Sequence, residues 1–164
     1  MVYNRYCSKQ APNEVEVNVR SAGGAGTTAL INYLSFYKKI NDACDHDGIK
    51  YRRNLDLVKW QKQIIILSDP EDIYRSLSRR SYLNLNSLKL GFLNYFIRFE
   101  ALFLYECRQL QLKWLSEWDS EESTIIIYYK DLFESADKIQ QHLCITDNNF
   151  VPHFPKRRKR GNQQ

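Results

Sequence analysis

The residues of this chain best suited to chemistry are three glycines and two threonines packed into Ser21-Ala22-Gly23-Gly24-Ala25-Gly26-Thr27-Thr28. Glycine lets the backbone approach a ligand with no Cβ in the way, and threonine adds hydroxyl donors. A turn of this kind at a helix N-terminus aims backbone N–H groups, with the positive end of the helix dipole behind them, at an oxyanion. Gly23, Gly24, Ala25, Gly26, Thr27 and Thr28 are therefore the candidate phosphate-binding residues. The same glycines also suit a strand-to-helix turn that binds nothing, since short glycine motifs recur without ligands. A nucleoside-triphosphate loop needs a glycine five residues before Gly-Lys-Ser/Thr, but Ser21 and Gly26-Thr27-Thr28 hold those places. With no lysine to reach the terminal phosphates, a kinase or ATPase is disfavoured.

The elements that position this loop are legible in the flanking periodicity. Val15, Val17 and Val19 repeat every two residues, and Leu30, Tyr33, Leu34 and Tyr37 repeat every three or four, which predicts strand, loop, helix. Ile64-Ile65-Ile66-Leu67 and Ile125-Ile126-Ile127-Tyr128-Tyr129 read as strands buried on both faces. Asp69-Pro70-Glu71-Asp72 is a helix start, with a capping acid, a proline suited to the first turn and two acids that favour the dipole; that helix is expected to reach about Arg80. From Leu93 to Trp118, Phe96, Phe99, Phe103, Cys107, Leu110, Trp114 and Trp118 recur at helical spacing and predict one long helix with a core-facing aromatic stripe. Asp131 is expected to cap a last helix carrying Leu132, Phe133, Ile139 and Leu143. The order strand, helix, strand, helix, helix, strand, helix implies an α/β class: a three-layer, P-loop-like fold with a small parallel sheet flanked by helices. Ligand then belongs at the carboxyl ends of the strands, where the glycine loop and Ser68-Asp69-Pro70 both emerge.

Composition sets bounds. The 164 residues fit one domain, and 43% hydrophobic residues with 13% aromatics describe a globular chain. Residues 1–14 read as an irregular lead-in, 15–155 as the α/β domain and 156–164 as a basic tail. Net charge is +5, and Lys156-Arg157-Arg158-Lys159-Arg160 accounts for all of it, so the high pI reports a tail rather than a nucleic-acid-binding face. Cys7, Cys44, Cys107 and Cys144 are scattered, which indicates free thiols rather than a disulfide framework or zinc module. No apolar leader opens the chain and no run is long enough to span a bilayer, so a cytoplasmic protein is expected, with a nuclear location open through the tail. Nothing in the pattern fixes the oligomeric state.

The three motifs, taken in order, resemble the sulfotransferase family, which uses 3′-phosphoadenosine 5′-phosphosulfate (PAPS). Gly23-Gly24-Ala25-Gly26-Thr27-Thr28 is similar to its 5′-phosphosulfate loop, usually a basic residue followed by Ser-Gly-Thr-Thr. Leu67-Ser68-Asp69-Pro70 through Ser76 is similar to its 3′-phosphate segment, Arg-Asp-Pro and then a helical serine. Ile127-Tyr128-Tyr129-Lys130-Asp131-Leu132 is similar to a later strand ending in Tyr-Glu-Asp-Leu, and Lys159-Arg160-Gly161 to a basic segment that closes on the 3′-phosphate. The resemblance implies that Ser68, Ser76 and Arg160 join the loop in holding PAPS. It further implies sulfuryl transfer to a hydroxyl or amine of a small molecule or glycan, with no metal. Gly24 and Ser68 depart from it, each standing where the family carries a cation; Arg75, Arg79, Arg80 and the tail are the candidate replacements.

Such a reaction needs a base to take the acceptor's proton. His46, in Cys44-Asp45-His46-Asp47, is the candidate, because imidazole titrates near neutrality. A solvated loop histidine is the plainer interpretation of the same residue. Two other classes of function stay open: a catalytically inactive sulfotransferase-like module that binds a nucleotide or a protein, and a nucleic-acid-associated protein that uses the basic tail.

Overall fold

A computed structural model of the chain describes residues 14–41, 59–92 and 100–157. Three parallel strands form its sheet: β1 (Glu14–Ser21), β2 (Lys59–Leu67) and β3 (Thr124–Tyr128), in spatial order β1-β2-β3. Helix α1 (Thr27–Leu34) follows β1, and α2 (Pro70–Arg79), α3 (Leu83–Leu90) and α4 (Glu100–Trp118) lie between β2 and β3. A 3-10 helix (Tyr129–Glu134), α5 (Ala136–His142) and α6 (Phe150–His153) complete the order.

The sheet is covered on both faces, as its continuous apolar strands require. Val17, Val19, Ile64, Ile66 and Ile127 pack with Leu30, Ile31 and Leu34 of α1, Ile139 of α5 and Phe150 of α6. Ile65 and Leu67 point the other way and pack with Ile73 and Leu77 of α2, Leu90 of α3, and Phe103, Cys107, Leu110 and Trp114 of α4. The protein is thus a three-layer α/β fold. No helix among the described residues is long and apolar enough to cross a membrane.

Where the chain goes after α1 decides where a ligand can sit. Ile40 bridges in parallel to Val17, and the Lys39 carbonyl accepts from the Glu16 and Val17 amides at 2.8 and 3.2 Å. The Asn41 side chain extends that edge, accepting from Val19 N at 2.7 Å and donating to Val19 O at 2.9 Å. Residues 39–41 therefore run along the outer edge of β1, so the connection from β1 leaves away from β2 while the connection from β2 leaves toward β3. Crossovers of one hand leaving in opposite directions put their helices on opposite faces and open a crevice between them. That switch point lies between β1 and β2.

The structure differs from the sequence expectations in the end of α1, the cap of α5 and two additional helices. Helix α1 stops at Leu34, with a turn over 35–37 that still brings the Tyr33 and Tyr37 rings to 5.4 Å. Asp131 caps nothing: it lies inside the 3-10 helix, and Ser135, whose hydroxyl donates to the Asp131 carbonyl at 2.8 Å, precedes α5 instead. Helices α3 and α6 are additions; α3 escapes a periodicity search because its buried face includes Asn86 and Ser87 beside Leu90. The aromatic stripe of the long helix is present from Phe103 to Trp118, and the expected turns before Glu100 lie outside the described residues.

Candidate functional site

The glycine loop is built on conformations that other residues adopt only under strain. Gly23, Gly24 and Gly26 have φ of 102, 69 and 66°, all left-handed. The Ser21 hydroxyl ties the two ends together, 2.6 Å from Thr27 Oγ1 and accepting from Gly23 N at 3.2 Å. Thr27 is consequently buried inside the loop, as are Gly23 and Ala25, and Thr28 is exposed on the first turn of α1.

The loop is wedged between two other segments of the predicted site. A Cβ placed on Gly24 would lie 3.2 Å from Ser76 Cβ and 3.3 Å from its Oγ, so loop and α2 are in contact there. On the other side a Cβ on Gly26 would lie 3.0 Å from Tyr129 Cε2. Asp69 caps α2, its Oδ1 accepting from Glu71 N at 2.8 Å, with Pro70 in the first turn. Ser68, at the end of β2, donates its backbone N–H to Gln111 Oε1 of α4 at 2.8 Å.

These segments border one cleft of about 1280 Å³ at the carboxyl ends of the strands. Gly24, Gly26, Ser68 and Ser76 line it; the other loop residues named from sequence stand behind its wall or beside it. Arg79, Arg108, Lys130, Lys156 and Arg157 bring positive charge to the lining, against Asp69 and Asp72. The first two residues of the basic tail are thus part of this cleft. They arrive there because α6 is clamped to α1: Phe150 and Phe154 are buried against Tyr33, whose hydroxyl donates to the Phe150 carbonyl.

The candidate replacement cations separate. Arg75 is paired with Glu71 at 3.0 Å and does not line the cleft. Arg79 lines it directly. Arg80 reaches back along α2, donating from Nε to the Ser76 carbonyl at 3.0 Å and from Nη2 to Ser76 Oγ at 3.1 Å. A guanidinium therefore stands on the serine that faces Gly24. His46 and Arg160 lie outside the described residues.

Sequence reasoning missed the α4 wall. Arg108, Gln111, Leu112 and Leu115 line the cleft at three- and four-residue spacing, one stripe round from the buried Cys107, Leu110 and Trp114. That second stripe was the available signal. Gln111 is held at both ends, accepting from Ser68 N and donating from Nε2 to Cys107 Sγ at 3.7 Å. Burial pushes the Cys107 thiol up to about 12, so it is an inert packing group below the cleft floor.

Comparison of the chain with protein-family models, with curated proteins and with solved structures gave no match.

Proposed function

We propose that the cleft binds a nucleotide with phosphate groups at two separated positions, PAPS by the resemblance in sequence, and transfers its sulfuryl group to an acceptor. The observation that carries this reading is the contact between Gly24 and Ser76, which joins the glycine loop and α2 in one cation-lined cleft at a topological switch point. The glycine loop presents an N-terminal helix end to one phosphate, while Ser76, held by Arg80, and Arg79 face the other. The donor supplies the reactive sulfur; the chain supplies charge and orientation. Lys156 and Arg157 add cations from the opposite layer.

Calorimetric titration with 3′-phosphoadenosine 5′-phosphate (PAP), the desulfonated nucleotide, tests the binding step. Replacing Arg79 with alanine removes a charge-assisted contact of about 1.5 to 3 kcal/mol, so PAP affinity should fall roughly 10- to 100-fold. Absence of binding by the native protein at millimolar PAP would end the nucleotide reading.

One feature favours a second reading, a binding module without turnover. Neither Gly24 nor Ser68 offers a cation, and Ser76 occupies the space in which a side chain at position 24 would start. Among the described residues the carboxylates of the cleft are Asp69, engaged in capping, and Asp72. PAP binding without consumption of labelled PAPS across an acceptor screen would select the binding module.

A further inference from the structure

The cleft has a second half that the nucleotide does not explain. Its volume of about 1280 Å³ exceeds the roughly 300 to 1000 Å³ usual for a single small-molecule site. Beyond Ser68 the wall is formed by Leu112 and Leu115 of α4 and by Tyr128 at the end of β3. Leu112 is 57% exposed and Tyr128 51%, although both lie in a concave surface. Apolar area left open in a cleft is a binding surface for apolar area on a ligand, at about 25 cal/mol per Å² covered.

Two cations border this apolar wall. Arg108 lies one helical turn before Leu112 on the same face of α4, and Lys130 Nζ sits 5.9 Å from the Tyr128 ring centroid. Neutral hydrogen-bonding side chains, which a sugar requires in number, come to this wall only as the hydroxyls of Tyr128 and the neighbouring Ser68 and Tyr129 and one amide among the described residues. Its one amide, Gln111, already serves Ser68 and Cys107.

We infer that this half of the cleft receives the acceptor, and that the acceptor is a hydroxylated aromatic or alicyclic acid: an apolar ring body seated on Leu112, Leu115 and Tyr128, with a carboxylate or similar anion met by Arg108 and Lys130. The inference rests on the proposed function, for it names the acceptor class of that same site. A neutral ring compound would use the wall but leave the cations unanswered, and a glycan would bury its hydroxyls against leucine.

The test is binding, so it needs no turnover. The full chain, with PAP present, is titrated with 6-hydroxy-2-naphthoate, 2-naphthol and methyl glucoside, and PAP binding is recorded in its own titration. The acid should bind at least tenfold tighter than the neutral naphthol, and the glucoside should not bind. Exchanging Leu112 for asparagine, a surface change that leaves the fold intact, should weaken both naphthyl compounds at least fivefold. Replacing Arg108 with methionine should abolish the advantage of the acid alone. Equal affinity for acid and neutral probe, binding of the glucoside, or indifference to Leu112→Asn would overturn the inference. Failure of the nucleotide reading shows separately, as a PAP titration without heat.

Discussion

The two layers that sandwich the sheet are built on different principles. The layer of α1, α5 and α6 packs on an apolar row of strand positions, Val17, Val19, Ile64, Ile66 and Ile127. The layer of α2, α3 and α4 meets a face that buries a polar row: Asn18 Nδ2 donates to Gln63 Oε1 at 3.0 Å, and Gln63 Nε2 to Thr124 Oγ1 at 3.3 Å. These three residues are register partners across the whole sheet, so a one-residue slip would break both bonds and turn the row into the apolar layer. Beside the row, Arg20 is 1% exposed with its guanidinium 5.4 Å from the Trp114 ring and 6.0 Å from that of Trp118. The apolar layer supplies packing energy and carries the glycine loop and basic segment; the polar layer fixes register and carries the serine and arginine wall. The cleft needs one wall from each.

The largest effect should come from damaging the apolar layer. Phe150 is fully buried, with Tyr33, Tyr37 and Phe154 rings at 5.2, 5.2 and 5.7 Å. Phe150→Ala should cost about 3 to 5 kcal/mol in urea denaturation. It should also weaken PAP binding, because Lys156 and Arg157 follow directly from this clamp. Full PAP affinity in a destabilised variant would show that the basic segment contributes nothing to the cleft.

The polar layer should respond in the opposite sense to chemistry and to volume. Arg20 keeps its Nε and Nη2 without hydrogen-bond partners, and burial, opposed by Glu117, pushes its pKa down to about 10. Arg20→Ala opens a cavity beneath two tryptophans and should cost about 2 to 4 kcal/mol, whereas Arg20→Met keeps the volume, removes a buried charge with two unsatisfied N–H groups and should stay within about 1 kcal/mol of the native protein. Because the folded state resists the charged form, the unfolded chain holds the proton to higher pH, and native stability relative to Arg20→Met should rise above about pH 10. A loss on Arg20→Met as large as on Arg20→Ala would mean that the charge itself holds this layer.

The contact between the layers is tested by a single methyl. Gly24→Ala forces a left-handed φ of 69° on alanine and sets its Cβ 3.2 Å from Ser76 Cβ. The expected cost is about 1 to 2 kcal/mol of stability. PAP affinity should fall as well, since the methyl pries the loop from α2. Unchanged affinity would show that loop and serine act independently.

How much of this was legible follows from which interactions are local. Asp69-Pro70 announced α2 because a cap is decided within a few residues, and the glycine loop announced itself because glycine alone adopts its φ values without strain. The meeting of loop and Ser76 was readable only as two motifs emerging at one sheet end. By contrast, Asn18 and Arg20 alternate with valines as a solvent face would, and only covering by α4 reveals them as buried. The α4 wall was hidden for the reverse reason: Leu112 looks like core in sequence yet stands exposed in the cleft. Helix α3 was masked by its buried Asn86 and Ser87.

The smallest effect belongs to acid. His142 closes α5, and its Nε2 is buried without a hydrogen-bond partner. Burial, with nearby Lys62 in support, lowers its pKa from 6.5 despite the Gln63 and Ser123 backbone groups that favour the proton. The unfolded chain therefore takes up a proton that the folded chain resists, so stability should be flat above the ordinary histidine range and fall as pH drops through 6.5. Denaturation midpoints compared on either side of that pH measure the loss, and His142→Gln, which keeps a side chain of similar reach without the titration, should reduce it. Because His142 sits on the apolar layer, beside Lys62, that result would assign acid sensitivity to that layer. A loss unchanged by His142→Gln would instead place the acid-sensitive group elsewhere, and the two layers would then no longer differ in their response to acid.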